Sequence, residues 1–417
     1  MSVVKFFDAS LFFVLVFTIA QTSFAQEEKE VAKLPTPLLD YVETIERDDL
    51  TGVNSATISA DGKFLYASAW GNSSINVFRR DLKTGKLTHV QTFKSQEDLS
   101  GATSIRLSPD GKYAVAPGFQ VRSTVLMHVD QETGKLKIAD VARGSEDDVP
   151  NDALRVPFAA EFSSDSKFVY VADSAAMGVF KITDDAELEF VESNSGKDSC
   201  FRGMRWITTH PKSNALYAIN VDAHTVVALE RDPETGKVTV KQVIRDDTDE
   251  VTGIQGVITS DLSPDGKFLY VSSGRFSGDT AIGVYAVTED GLELVHELFN
   301  EEGDENDVLK DYLGGNGIVV SPDGKCVFAA GTRSQSFVCL QRHPKTGRLT
   351  YLETIPDGSA MGEEDQELVD DLGIGAVSKA GAAGIAVSPD SKFVYVMVEE
   401  ASLIRVFVRD DLKNEGE

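Results

Sequence analysis

Among the side chains of this 417-residue chain that could do chemistry, Arg205 and Trp206 come first. A guanidinium beside a large ring can hold a carboxylate or phosphate by two parallel hydrogen bonds. Asp222, His224 and Asp173 are the groups that could give or take a proton next to a ligand held there. Arg122, Asn220, Arg275 and Arg333, with Trp206, are the polar and ring contacts available to bind it. Trp70, Asn72, Asp279, Glu399, Arg202, Gln255 and Asn316 are further candidates of the same kind. Arg122 and Arg333 stand 211 residues apart, so linear spacing certifies no pair, and only the fold can bring these groups together.

The elements that must do so are repeats. Ser263-Pro264-Asp265-Gly266-Lys267, followed by Phe268-Leu269-Tyr270-Val271, is a tight turn leading into an aromatic and β-branched strand. Versions of it begin at Ser59, Ser108, Ser163, His210, Ser263, Ser321 and Ser388, with successive spacings of 49, 55, 47, 53, 58 and 67 residues. A short apolar strand precedes each turn and a third strand follows. A second turn, Asp81-Leu82-Lys83-Thr84-Gly85-Lys86, then leads to a fourth; it is echoed at Asp130, Asp232 and His343. Four antiparallel strands repeated seven times can bury their faces only against neighbouring units. The expected fold is all-β, a seven-bladed β-propeller.

The last unit stops one strand short, at Leu403 to Val408, while residues 38–45 form a strand with no turn partner of their own. This N-terminal strand is expected to close blade seven and remove the open edge. Ahead of it, Lys5, the apolar run Leu11 to Ile19 and Ser23-Phe24-Ala25 read as a secretory signal with cleavage before Gln26, the alternative being an uncleaved anchor whose apolar core is short for a bilayer span. The expected organisation is a signal peptide at 1–25, a linker at 26–36, the propeller at 37–410 and a tail at 411–417. The product is then exported, periplasmic or extracellular, with no membrane span after cleavage.

With 67 carboxylates against 40 Lys and Arg, the net charge of −27 argues against nucleic acid or an anionic membrane surface as partner. The acid gathers in loops joining successive blades: 145–148, 246–250, 301–307, 363–365 and 370–371. These loops should crown one face, as solvated linkers or as hard-oxygen ligands for a structural Ca²⁺, although no segment has EF-hand spacing. Cys326 and Cys339 fall nearly opposite each other on adjacent strands of blade six, as a disulfide or two buried thiols, and Cys200 has no partner. On a regular innermost strand of blade four, side chains alternate. Arg205 is therefore expected to face the central funnel and Trp206 to pack between blades.

The repeated SPDGK turns and DxxTGKL turns resemble the seven-bladed lactonase family, the propeller-type 6-phosphogluconolactonases and their muconate cycloisomerase-like relatives, over residues 37–410. That resemblance implies an active-side segment of the type Gly-Pro-Arg-His before a His-Pro turn, then a strand ending in Asn-Glu. Here Gly203-Met204-Arg205-Trp206 precedes His210-Pro211, and the strand ends in Asn220-Val221-Asp222. Arg205 and Asn220 match, whereas the His is Trp206 and the Glu is Val221. A second family segment, Pro-His and then Pro-Asp-Leu-Gly, meets Ala102-Thr103-Ser104 and Pro117-Gly118-Phe119-Gln120. Two readings follow. One is a lactonase-like exported hydrolase of a lactone or sugar-acid ester, with Arg205 holding the anion and Asp222, His224 or Asp173 as acid or base. The other is a non-catalytic propeller that binds a protein, glycan or cation through its acidic loop-rich face or serves as a scaffold in a larger envelope assembly.

Overall fold

The computed structural model describes residues 32–144, 149–150, 152–195, 200–246, 251–275, 280–300, 308–357 and 381–412. The strands form seven antiparallel sheets, and the innermost strands of neighbouring sheets pack side by side in a closed ring. This is the seven-bladed propeller. Blade one is Val53–Ile58, Phe64–Ala69, Ser74–Arg80 and Leu87–Lys94, ordered from axis to rim. Blade five carries a fifth short strand, Val308–Leu309, which runs parallel to its outer strand Leu292–Asn300. The strand Leu39–Glu46 pairs antiparallel with Leu403–Arg409 as the outer strand of blade seven, so the first strand among the described residues closes the circle.

The repeated turns are locally satisfied. In blade one Ser59 Oγ donates to Asp61 Oδ1 at 2.7 Å and accepts from the Phe64 N–H at 3.0 Å, while Gly62 holds φ near 73°. Where Gly gives way to Ser, at Ser166 and Ser391, the residue still adopts positive φ. In the second turn, Asp81 Oδ1 accepts from the N–H groups of Lys83 and Thr84, both at 2.9 Å. Blade six does this with imidazole: His343 Nδ1 accepts from Lys345 and Thr346.

These turns also join blades. Gly85 has φ of 72°, and a Cβ there would lie 2.2 Å from the Phe393 ring of blade seven. Only glycine fits that approach. Arg80 Nε donates to Tyr395 Oη at 2.7 Å, and Tyr395 Oη donates to the Gly85 carbonyl at 2.8 Å. Arg342 of blade six repeats the contact with Tyr270 of blade five at 2.7 Å. Between blades the core is apolar; Leu65, Ala67 and Phe78 of blade one, for example, pack on Tyr395, Met397 and Ile404 of blade seven.

One expectation is corrected here. Cys326 lies opposite Gln341, and Cys339 opposite Phe328, so the two cysteines are offset by two residues. Both thiols are free and buried, and burial pushes Cys326 up to about 12. The acidic loops at 145–148, 247–250, 301–307 and 363–371, and with them the calcium expectation, lie outside the described residues, as does the signal segment 1–25. Among the described residues no cluster of three or more His, Cys, Asp or Glu side chains could hold a metal ion.

Candidate active site

The innermost strands surround a channel of 840 Å³. Its lining is set by a device repeated around the ring. In blades one, three, four and seven the innermost strand bulges within its first three residues, leaving Asn54, Phe158, Arg205 and Ala383 out of register with the second strand. Blade six also shifts by one, with Asn316 and Gly317 together facing the single place between Gly331 and Ala329. Each bulged residue stands five places before the first residue of its turn, a place held by Thr103 and Ile258 in blades two and five. All seven line the channel.

The bulge modifies the alternation argument for blade four: Arg205 faces the channel and Trp206 packs against the apolar clusters on both sides of its blade, as expected, but Trp206 also reaches the channel. A bulge turns two successive side chains toward one partner position, and both Arg205 and Trp206 line the channel. Arg205 places its guanidinium carbon 3.5 Å from the centre of the Phe158 ring, and its buried Nε has no hydrogen-bond partner among the described residues. Burial, with a smaller contribution from the neighbouring Arg275, lowers its pKa; Asp222 works against this. Trp206 donates its Nε1–H to the Ser260 carbonyl at 3.0 Å and lies beneath the Arg106 guanidinium.

Arg275 also lines the mouth, with Nη2 3.8 Å from Glu399 Oε2, and burial lowers its pKa while Glu399 opposes that shift. Glu399 Oε1 accepts from Trp70 Nε1 at 2.6 Å. Two guanidiniums, one carboxylate and the rings of Trp70, Phe119 and Phe158 therefore share one end of the channel. Further along the channel a second tier, two places before each turn, holds Arg106, Glu161 and Asp261. Arg106 Nε meets Glu161 Oε2 at 3.1 Å, and Asp261 accepts the N–H groups of Leu262 and Val320. Burial raises Glu161 and pushes Asp261 up to about 6.

The other expected site residues stand elsewhere. Asp173 is fully buried, accepts the N–H groups of Val156 and Ala175, and is pushed by burial to about 6. It ties a loop of blade three. Asn220 is buried with Nδ2 donating to Thr225 Oγ1 at 3.1 Å. His224 Nδ1 accepts the Gly256 N–H at 2.9 Å, and Asp222 is exposed beside Gly203. Arg122 and Arg333 are exposed and outside the channel lining. All six histidines lie in described residues, and none lines the channel. Of the nine expected residues the fold brings Arg205, Trp206 and Arg275 together. It adds Glu399, Trp70, Arg106, Glu161 and Asp261, of which Trp70 and Glu399 were among the wider candidates. The sequence signal for the rest is the fixed offset from each turn.

Residues 37–149 and 150–362 match the family described as the seven-bladed β-propeller lactonases. A 196-residue stretch, 46% of this chain, is 27% identical to the 6-phosphogluconolactonase of Bacillus subtilis. The chain spans about half the length of the curated relatives it matches, 52% and 40%. Among solved structures, a periplasmic gluconolactonase of Pseudomonas aeruginosa is 18% identical, with a TM-score of 0.58 over 72% of this chain and 85% of that one. A chain of hydrazine synthase from Kuenenia stuttgartiensis is 20% identical, with a TM-score of 0.59 over 88% and 97%. At such identities the structural likeness shows the fold alone.

Proposed function

This chain belongs to the seven-bladed β-propeller lactonase family, and on that premise we propose that it is an exported hydrolase that opens a lactone or a related sugar-acid ester. The observation that carries the reading is Arg205, whose buried Nε–H lacks a partner at the mouth of the channel. A guanidinium so placed gains most from an incoming carboxylate or from the oxyanion of a tetrahedral intermediate. Arg275 brings a second positive charge to the same end, and Trp70, Phe119 and Phe158 offer ring faces on which a five- or six-membered ring packs. The volume of 840 Å³ suits a small ligand. Export is supported by the apolar run at residues 11–19 and the small residues before Gln26. The named activities of the Bacillus and Pseudomonas relatives favour a sugar lactone, and an exported enzyme would meet the unphosphorylated form.

The test is acid release in a pH-stat from D-glucono-1,5-lactone, its 6-phosphate and a panel of γ-lactones. Turnover above the uncatalysed rate is expected, with Arg205→Met lowering kcat/KM by about 100-fold. Hydrolysis of every lactone at the uncatalysed rate sinks the reading. Export is checked by fractionation and N-terminal sequencing, with a mature chain beginning at Gln26 as the expected product.

A further inference from the structure

Binding an anion does not hydrolyse it, and a channel without histidine must find its proton acceptor elsewhere. One ring position around the mouth supplies a candidate. In six blades the residue eleven places after the first residue of the turn, at the end of the second strand, donates its backbone N–H to the chain leading into the innermost strand: Trp70 to Gly52, Ser174 to Val156, Val221 to Gly203, Gly274 to Gln255, Thr332 to Gly314 and Glu399 to Gly381. Val221 and Glu399 thus hold equivalent places in blades four and seven. The carboxylate that the family resemblance puts after Asn220 is absent there, and the same level of the ring carries one three blades away.

The surroundings of Glu399 are those of a positioned acceptor. Oε1 is fixed by Trp70 Nε1–H at 2.6 Å. Oε2 is buried, 3.8 Å from Arg275 Nη2, and has no hydrogen-bond partner among the described residues. Glu399 lines the same cavity as Arg205. Resting on the lactonase reading, we propose that Glu399 is the general base of this mouth. Its Oε2 takes a proton from a water molecule as the water oxygen bonds to the lactone carbonyl carbon, and the carbonyl electron pair moves onto an oxyanion stabilised by Arg205. Collapse of that intermediate breaks the ring carbon–oxygen bond. The leaving ring oxygen takes the proton back from Glu399 as a hydroxyl, and the new acid ionises to the hydroxycarboxylate. No cofactor or oxidant is needed.

The test compares wild type, Glu399→Gln and Glu399→Asp with D-glucono-1,5-lactone as substrate and gluconate as binding probe. Glu399→Gln should lower kcat by about 100-fold or more and abolish the acid limb of the pH–rate profile. Calorimetry should find gluconate bound as well as by wild type or more tightly, since a negative charge has left the neighbourhood of Arg275. Glu399→Asp should fall between. Wild-type hydrolysis with Glu399→Gln within about threefold in kcat overturns the assignment and leaves the lactonase reading standing; a wild type that hydrolyses no lactone removes both. Should Glu399→Gln fail to fold, Trp70→Phe keeps the carboxylate and removes its donor. A displaced acid limb is then expected, and an unmoved one counts against the proposal.

Discussion

The guanidinium carbon of Arg106 lies 4.4 Å from the centre of the Trp206 ring, so blades two and four touch across the channel. Arg106 also pairs with Glu161 of blade three at 3.1 Å, and Trp206 donates to Ser260 of blade five at 3.0 Å. Four successive blades are thereby linked around the axis through Arg106 and Trp206.

Trp206→Ala removes that link, takes one of its two donors from the Ser260 carbonyl, which keeps Thr208 Oγ1 at 3.0 Å, and uncovers Arg106. A loss of about 3 kcal/mol is expected, read as a fall in the midpoint of denaturant unfolding. Arg205→Met, whose guanidinium gives up a ring contact and no hydrogen bond through Nε, should leave the midpoint nearly unchanged and weaken gluconate binding. The reverse pattern would make Arg205 the structural member of the pair.

Asp261 connects stability to pH. Its folded pKa, about 6, is raised from 3.8 mainly by burial, with the N–H groups of Val320 and Leu262 and the charge of Arg106 opposing. The folded state therefore holds this proton more tightly than the unfolded chain. The stability it contributes is complete below about pH 3.8 and is lost as pH rises through about 6. Against Asp261→Asn, wild type should lose about 1–3 kcal/mol of relative stability between about pH 4 and pH 7.5. Unfolding curves of both proteins at the two pH values check this, and a constant difference would show that Asp261 does not titrate there. Glu161, also raised by burial and facing the same tier, should move in the same direction.

Arg80 clamps blade one to blade seven, with Nε on Tyr395 Oη at 2.7 Å and Nη1 on the Gly62 carbonyl. Arg80→Met keeps much of the side-chain volume and strips both hydrogen bonds from buried partners. Destabilisation by about 2–4 kcal/mol is expected. Hydrogen exchange should show the loosening first in the strands Phe64–Ala69 and Phe393–Val398.

Removing residues 1–46 should convert the protein to a self-associating species. The strand Leu403–Arg409 would lose its partner Leu39–Glu46 and present an open edge. Light scattering after size exclusion reads the outcome; a monodisperse monomer of unchanged melting temperature would mean that closure is dispensable.

The sequence by itself determined the seven units, the turns that mark them and the strand that closes the ring. Each turn is satisfied within a few residues, as Ser59, Asp61 and Phe64 satisfy one another, so its geometry is written in local residue types. What only the tertiary structure decided is which side chains meet. Trp70 and Glu399 are 329 residues apart and become hydrogen-bonded partners only because the ring closes. The bulge at Arg205 breaks the two-residue period and brings Arg205 and Trp206 into the channel together, which strict alternation forbids. Asp173 and Asn220, eligible by type and loop position, are drawn into the buried wall to satisfy backbone and side-chain hydrogen bonds. Local preference chose the repeating unit; contacts between blades, made by residues distant in the chain, chose the lining of the channel.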